Sequence, residues 1–285
     1  MRERFPNKTT LSIGDGANDV NMITTAHVGV GISGLEGQQA ARSADFVIGQ
    51  FRFLKPLMFI HGREAYRRNA YLVKYTIYKN VFFVLPQYWF GIYSGFTGQM
   101  VYEQWLYQLY NLAVATFPPM WYALFDFEYE KERFLKDPSL FSIGLKNACF
   151  GTRIFWQWFF YGAIQAFIVL NLCYYSNEYE RYDGETVGLW VSGTLAYSAV
   201  VIAVNQKVLM NTHNVDLIQV VCVFGSILTF FFAVFVESNV LFFADLTGVF
   251  KQMMIDSNTY FMLLLVIGIF YVTEKLIQHA DEALM

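Results

Sequence analysis

Charge is scarce in this sequence: 15% of its residues are Asp, Glu, Lys or Arg, against roughly 25% in an ordinary soluble domain. A net charge of -3, with no basic clusters interleaved among the aromatics, excludes nucleic acid as a partner. Cysteine is scarcer still. Cys149, Cys173 and Cys222 lie far apart, two of them inside apolar runs, so neither a disulfide framework nor a paired-cysteine metal site is expected. The opening "MRERFPNKTT" has no apolar core behind its positive charges, which excludes a signal peptide. His61 and His213 have no ligand partner at metal spacing and read as interfacial residues. What is present is apolar: 55% hydrophobic and 19% aromatic residues point to a membrane protein.

Residues 9–50 nevertheless read as soluble α/β. A strand "TTLSI" leads to a glycine loop, a helix "DVNMITTA", a strand "HVGVGI", a helix over 35–44 and a strand "DFVI", the tail of a doubly wound sheet. Three short strands cannot cover both faces of a sheet, so an upstream half is expected to be missing. Residues 54–74 read as a stalk helix with Arg63, Arg67 and Arg68 on its polar turns. Beyond it, six segments approach the ~20 residues that cross ~30 Å of hydrocarbon, at about 75–94, 100–120, 154–175, 187–208, 217–236 and 259–277. Three parts are therefore expected: 1–52, a stalk over 53–74, and a six-span membrane domain over 75–285.

Ten of the twenty Lys and Arg residues precede the first span, and five more lie between the second and third. The loop "SNEYERYDGETV" is acidic, and the 237–258 loop holds Lys251 as its one base. By the positive-inside rule both termini are cytoplasmic. The Tyr and Trp surplus near the span ends reads as an aromatic belt.

Two places carry chemistry. In "GDGAND" (14–19) the glycines turn the backbone sharply while Asp15 and Asp19 project from the loop. That arrangement is either a plain strand-to-helix turn with a capping Asp, or a loop that holds Mg²⁺ beside a phosphoryl group. In the first span Lys79 and Asn80 fall within hydrocarbon depth. Lys79 either snorkels to the inner headgroups or has a function there. Asn111, on the adjacent antiparallel span, falls within one helical turn of the same depth. Pro86, Pro118 and Pro119 read as kinks, with a hinge as the alternative.

The string "GDGANDVNMI" resembles the hinge motif of P-type ATPases. The downstream strings "VGVGISGLEGQQAARSADFVIGQFRFL", "HGREAYRRN", "YTIYKN", "GFTGQMVYEQW", "LYNL", "FPP" and "LFDFEYE" are similar in order and spacing to the phospholipid flippase subfamily. That resemblance implies a mostly α membrane protein in which the C-terminal remnant of a haloacid-dehalogenase-like α/β phosphorylation domain precedes a six-helix transmembrane bundle. It implies Asp15 and Asp19 as the Mg²⁺ residues, Asp15 as the coordinating aspartate, with Gly14, Gly16 and Asn18 supporting the phosphate site. Lys79, Asn80 and Asn111 are implied to serve lipid translocation. ATP would be bound by domains that this chain lacks, and an accessory two-span subunit is a further implied partner. The sequence contains no Asp-Lys-Thr-Gly-Thr phospho-acceptor segment, so the chain alone is expected to be catalytically inactive. The alternatives are a truncated, non-catalytic membrane protein, or the C-terminal part of a cation pump. The latter sits poorly with a lysine where ion coordination needs negative charge.

Overall fold

The computed structural model describes residues 7–34, 38–177, 187–240 and 245–284. The start of the helix expected over 35–44, most of the acidic loop after residue 175 and part of the 237–258 loop lie outside them. Strands β1 (Leu11–Gly14), β2 (Val28–Ile32) and β3 (Phe46–Ile48) form a parallel sheet in sequence order. Leu11 is opposite Val28, and Val30 is opposite Phe46. The crossovers are α1 (Val20–Thr25), entered through a 3-10 turn at Ala17–Asp19, and α2 (Gln39–Ser43). Ile23, Val30 and Ala40 are buried between helices and sheet, whereas Phe46 and Val47 of the edge strand are exposed.

After β3 the chain becomes helical through α3 (Leu54–Pro56), a π-type turn at Leu57–Gly62, and the 31-residue α4 (Arg63–Tyr93), which contains Pro86. Stalk and first expected span are thus one helical run, as the lack of a turn signal between them suggests. The second expected span is broken. It consists of α5 (Gln104–Leu109), a π-type stretch Tyr110–Val114, and α6 (Phe117–Phe125) with Pro118 and Pro119 in its first turn. Proline is tolerated there because first-turn amides have no intrahelical partner. Then come α7 (Lys131–Lys136), α8 (Ser142–Leu145), α9 (Thr152–Tyr175), α10 (Leu189–Asn211), α11 (Leu217–Asn239), α12 (Val249–Ile255) and α13 (Ser257–Leu284). Among the described residues four helices are long and apolar enough to cross a membrane: α9, α10, α11 and the Ser257–His279 part of α13. The protein is therefore mostly helical and multi-pass.

The chain forms two compact units, Met1–Ala65 with Tyr129–Lys146, and Tyr66–Glu128 with Asn147–Met285. Within the first, Arg63 is buried: its Nε donates to the Leu140 carbonyl at 2.9 Å, its Nη1 pairs with Glu64 at 2.6 Å, and its guanidinium lies over the Phe134 ring. Within the second, α10 is the central helix, with most of its surface covered by neighbours, whereas α9, α11 and α13 leave most of theirs exposed, as helices facing lipid do. The core of this unit is aromatic. Phe83 stacks on Tyr110 at 3.9 Å and on Tyr102 at 5.1 Å, and Tyr78, Phe82, Tyr197 and Phe230 are buried around them. The aromatics expected as a belt thus also fill the interior.

One close approach fixes one end of the core. A Cβ on Gly193 of α10 would lie 2.0 Å from the Val101 carbonyl oxygen, so that position admits only glycine. The Gln87 side chain holds the same segment, donating to the Gln99 carbonyl at 3.0 Å and accepting from the Val101 amide at 2.8 Å. Gly193→Ala is expected to lose about 1–3 kcal/mol, the range for overpacking a core. Thermal unfolding in detergent checks this, and an unchanged midpoint would show that the segment before α5 can give way.

Candidate functional site

The first candidate site is the loop after β1. In a parallel sheet the carboxyl ends of the strands are where ligands gather, and both Gly14 and the Ser33–Gly34 turn after β2 lie at that end; a Cβ on Gly34 would be 3.9 Å from that of Asp15. The Asp19 carboxylate folds back over the loop. Its Oδ2 accepts from the amides of Asp15 at 3.1 Å and Gly16 at 3.3 Å. A Cβ on Gly14 would sit 2.2 Å from the Asp19 Cβ, so glycine is what lets this brace form. Asp15 and Asn18 remain exposed. No cluster of three metal-ligating side chains occurs among the described residues. The chemistry of the set still fits Mg²⁺, which is usually held by one or two carboxylates with phosphate and water completing its shell: Asp15 would hold the ion, and Asp19 holds the loop.

The second candidate site lies inside the membrane unit, and its local cause is the "FPP" string. Lys79 of α4 is 8% exposed, and its Nζ donates to the Ala115 carbonyl at 3.1 Å. Tyr110 donates to the Lys79 carbonyl at 3.0 Å, and its ring centroid is 6.0 Å from the ammonium. Both partners flank the π-type stretch Tyr110–Val114, closed by the Ala115 amide on the Tyr110 carbonyl at 2.9 Å; such stretches occur often at functional positions. Lys79 is thus brought against the segment that carries Asn111, but the two side chains do not meet. Asn111 is exposed and its carbonyl accepts from the Thr116 hydroxyl, while Asn80 is half-buried.

A second buried lysine escaped the sequence reading. Lys207 of α10 pairs with Glu274 of α13 at 2.6 Å, beneath the rings of Tyr78, Trp158 and Tyr161 at 4.3–4.7 Å. Glu274 also accepts from Asn211 at 2.7 Å and Tyr161 at 3.2 Å. A groove of about 300 Å³, lined in part by Trp158, Phe160, Ile164 and this pair, opens beside it. Asn205, on the same helix, was also missed. The one available signal was a cluster of polar residues, "NQK", inside an apolar run.

The contrast between the lysines is chemical. Lys207 is neutralised by a carboxylate; Lys79 rests on a neutral carbonyl and has no carboxylate partner among the described residues. A desolvated ammonium in that state attracts anions and repels cations.

Comparison with known proteins identifies the family. Residues 41–285 match the family described as "Phospholipid-translocating P-type ATPase C-terminal". The chain is 40% identical over 233 residues to Phospholipid-transporting ATPase DRS2 of Saccharomyces cerevisiae, covering 80% of this chain and 17% of that protein. It is 37% identical over 221 residues to Phospholipid-transporting ATPase IH of Mus musculus, covering 77% and 19%. With Phospholipid-transporting ATPase 10 of Arabidopsis thaliana it shares 34% identity over 267 residues, covering 92% and 22%. The chain thus spans about a fifth of the length of these curated relatives. A family match over most of the chain, with relatives at this identity, means that the chain belongs to the phospholipid-translocating P-type ATPases and corresponds to their C-terminal region.

Proposed function

We propose that this chain forms the C-terminal part of an ATP-driven flippase that moves phospholipid from the outer to the cytoplasmic leaflet. The observation that carries this reading is the Lys79 ammonium on the Ala115 carbonyl, a buried cation that meets a neutral oxygen and has no carboxylate partner among the described residues. A phosphate or carboxylate oxygen of a headgroup is a stronger acceptor for it than a carbonyl, because charge-assisted hydrogen bonds are roughly twice as strong as neutral ones. Asn80 and Asn111 belong to the same two segments and would supply further amide donors along the path. Ion transport is disfavoured here, since a cation would have to displace an ammonium.

The sheet unit is then the end of a haloacid-dehalogenase-like phosphorylation domain, supported by its parallel order and by the loop at the strand ends. Mg²⁺, when bound, neutralises charge on the phosphoryl group during transfer. Asp15 would hold it, the Asp19 brace would keep the loop in shape, and Gly14, Gly16 and Asn18 would leave room for phosphate; ATP would bind elsewhere in the longer protein. The membrane unit is read as six spans, with the membrane part of α4 and the broken α5–α6 segment before the four long apolar helices. Both termini are cytoplasmic, and an accessory two-span subunit would complete the assembly.

The test is ATPase rate against lipid concentration in detergent, in the full-length enzyme carrying this sequence. Lys79→Ala is expected to raise the half-saturating lipid concentration on the order of tenfold, the value of one hydrogen bond to a charged group, with the nucleotide dependence unchanged. An unaltered lipid dependence would mean that Lys79 is an anchor, and would sink this reading.

A further inference from the structure

The carbonyls of Val114 and Ala115 precede by four residues positions 118 and 119, and both of those are proline. In an unbroken helix each of these carbonyls would take the amide four residues on, but the segment breaks at Ala115 and Thr116 before α6 begins, and proline has no amide hydrogen to give in any case. Val114 and Ala115 are buried, at 1% and 0% exposure, so bulk water does not serve them either. Two other helices provide the donors. Asn205 Nδ2 on α10 reaches the Val114 carbonyl at 3.4 Å, and Lys79 Nζ on α4 reaches the Ala115 carbonyl at 3.1 Å.

Asn205 is itself held firmly. It is wholly buried, and its Nδ2 also donates to the Val201 carbonyl at 2.9 Å. The carbonyl just before it, that of Val204, accepts from the Tyr75 hydroxyl of α4 at 3.3 Å. Tyr110 in turn ties the broken segment to the Lys79 backbone. The two open carbonyls are adjacent in the chain, so a shift of one moves the other. Asn205 makes no hydrogen bond to Lys79, yet it holds the neighbouring unit of the backbone on which the ammonium rests.

We infer that Asn205 is a positioning residue for the headgroup site: by holding the Val114 carbonyl it fixes the Ala115 carbonyl as the resting place of the Lys79 ammonium. This rests on the reading of Lys79 as the group that meets the headgroup. In that arrangement the break before α6 leaves two carbonyls open, Asn205 occupies one, and Lys79 occupies the other until phosphate oxygens compete for it. Leucine at 205 keeps the branched outline, at a somewhat larger volume, and removes the donor. The Val114 carbonyl then seeks another partner, the segment shifts, and the ammonium is no longer where an arriving headgroup needs it.

The test is a double-mutant cycle in the full-length enzyme that carries this sequence, with phosphatidylserine and phosphatidylcholine titrated separately into detergent micelles and the ATPase rate followed. Asn205→Leu is expected to raise the half-saturating concentration of the activating lipid about fivefold, as loss of one net hydrogen bond would, with the maximal rate within about twofold of wild type. In the Lys79→Ala background the same substitution is expected to add nothing, because the residue it positions is gone. A purely structural asparagine would instead multiply its effect onto that of Lys79→Ala. Multiplied effects, or an Asn205→Leu enzyme with wild-type lipid dependence, would overturn the inference while leaving the Lys79 reading intact. An unchanged Lys79→Ala enzyme would overturn both. If Asn205→Leu gives no folded enzyme, Asn205→Ser, whose short hydroxyl falls back on its own helix, goes through the same cycle with the same outcomes.

Discussion

Replacing Glu274 by leucine is expected to destabilise the membrane unit by about 3–5 kcal/mol, the range for stranding one member of a buried ion pair. Both partners are almost wholly buried, at 5% and 4% exposure for Lys207 and Glu274. Removing the carboxylate leaves the ammonium without its 2.6 Å partner and withdraws the acceptor used by Asn211 and Tyr161. The three rings around Lys207 attract a cation only partly in place of a carboxylate. The double substitution Lys207→Met, Glu274→Leu should recover most of the loss, because swapping a whole buried pair for apolar residues of similar volume is often neutral or stabilising. Unfolding in mixed micelles, followed by tryptophan emission, measures all three proteins. A Glu274→Leu variant as stable as wild type would mean that water or detergent reaches Lys207 and that the pair is not desolvated.

Asp126→Ala is expected to lose a similar amount, about 3–5 kcal/mol, for a different set of contacts. Asp126 follows α6 and is 3% exposed. Its Oδ2 accepts from Arg67 at 2.8 Å, and its Oδ1 accepts from the amides of His213 and Asn214 at 2.9 Å each. Burial by itself would raise the pKa of this carboxyl, but the hydrogen bonds from His213 and Asn214 and the charge of Arg67 outweigh it and hold the group below the ordinary value near 3.8. A carboxyl depressed on folding contributes stability that is complete above its unfolded pKa and is lost as pH falls through the folded one. Wild type is therefore expected to lose stability on acidification below about pH 4, and Asp126→Asn should lack that component while already being weaker at neutral pH. Equal acid profiles for the two proteins would show that Asp126 does not bear this charge. His213, expected to be interfacial, is half-exposed and also lies 3.4 Å from the Asp126 carboxylate through Nδ1, so it is part of this joint.

What could be read from the sequence follows from the range of the interaction concerned. The glycine loop, the parallel strands and the long apolar helices are written in consecutive residues, and these appear close to where periodicity and hydropathy put them. The second expected span depends on contacts distant in sequence. Hydropathy sees an apolar stretch over 100–120, but the π-type turn and the two prolines divide it, and their effect depends on which neighbouring helix can supply the missing donors. The sequence brings Lys79 and Asn111 together by depth and by the flippase resemblance. Depth fixes position along the membrane normal but not rotation about a helix axis, and rotation turns Lys79 toward Ala115 and leaves Asn111 exposed. The same indeterminacy hid Glu274, which reads as a span-end acid until α13 is seen to face Lys207 on α10.

The buried tyrosines have a consequence for how these helices find their arrangement. Hydrocarbon exerts no preference among the ways in which apolar helices can slide or turn against one another. Tyr75, Tyr110 and Tyr197 each deliver a hydroxyl to one particular carbonyl on another segment, those of Val204, Lys79 and Leu106. Each such bond is satisfied at a single rotation and a single axial offset, so the three act as detents in an otherwise slippery stack. Phenylalanine in their place would fill the same space but supply no detent. The interior would stay as dense while its helices came to rest in several registers instead of one.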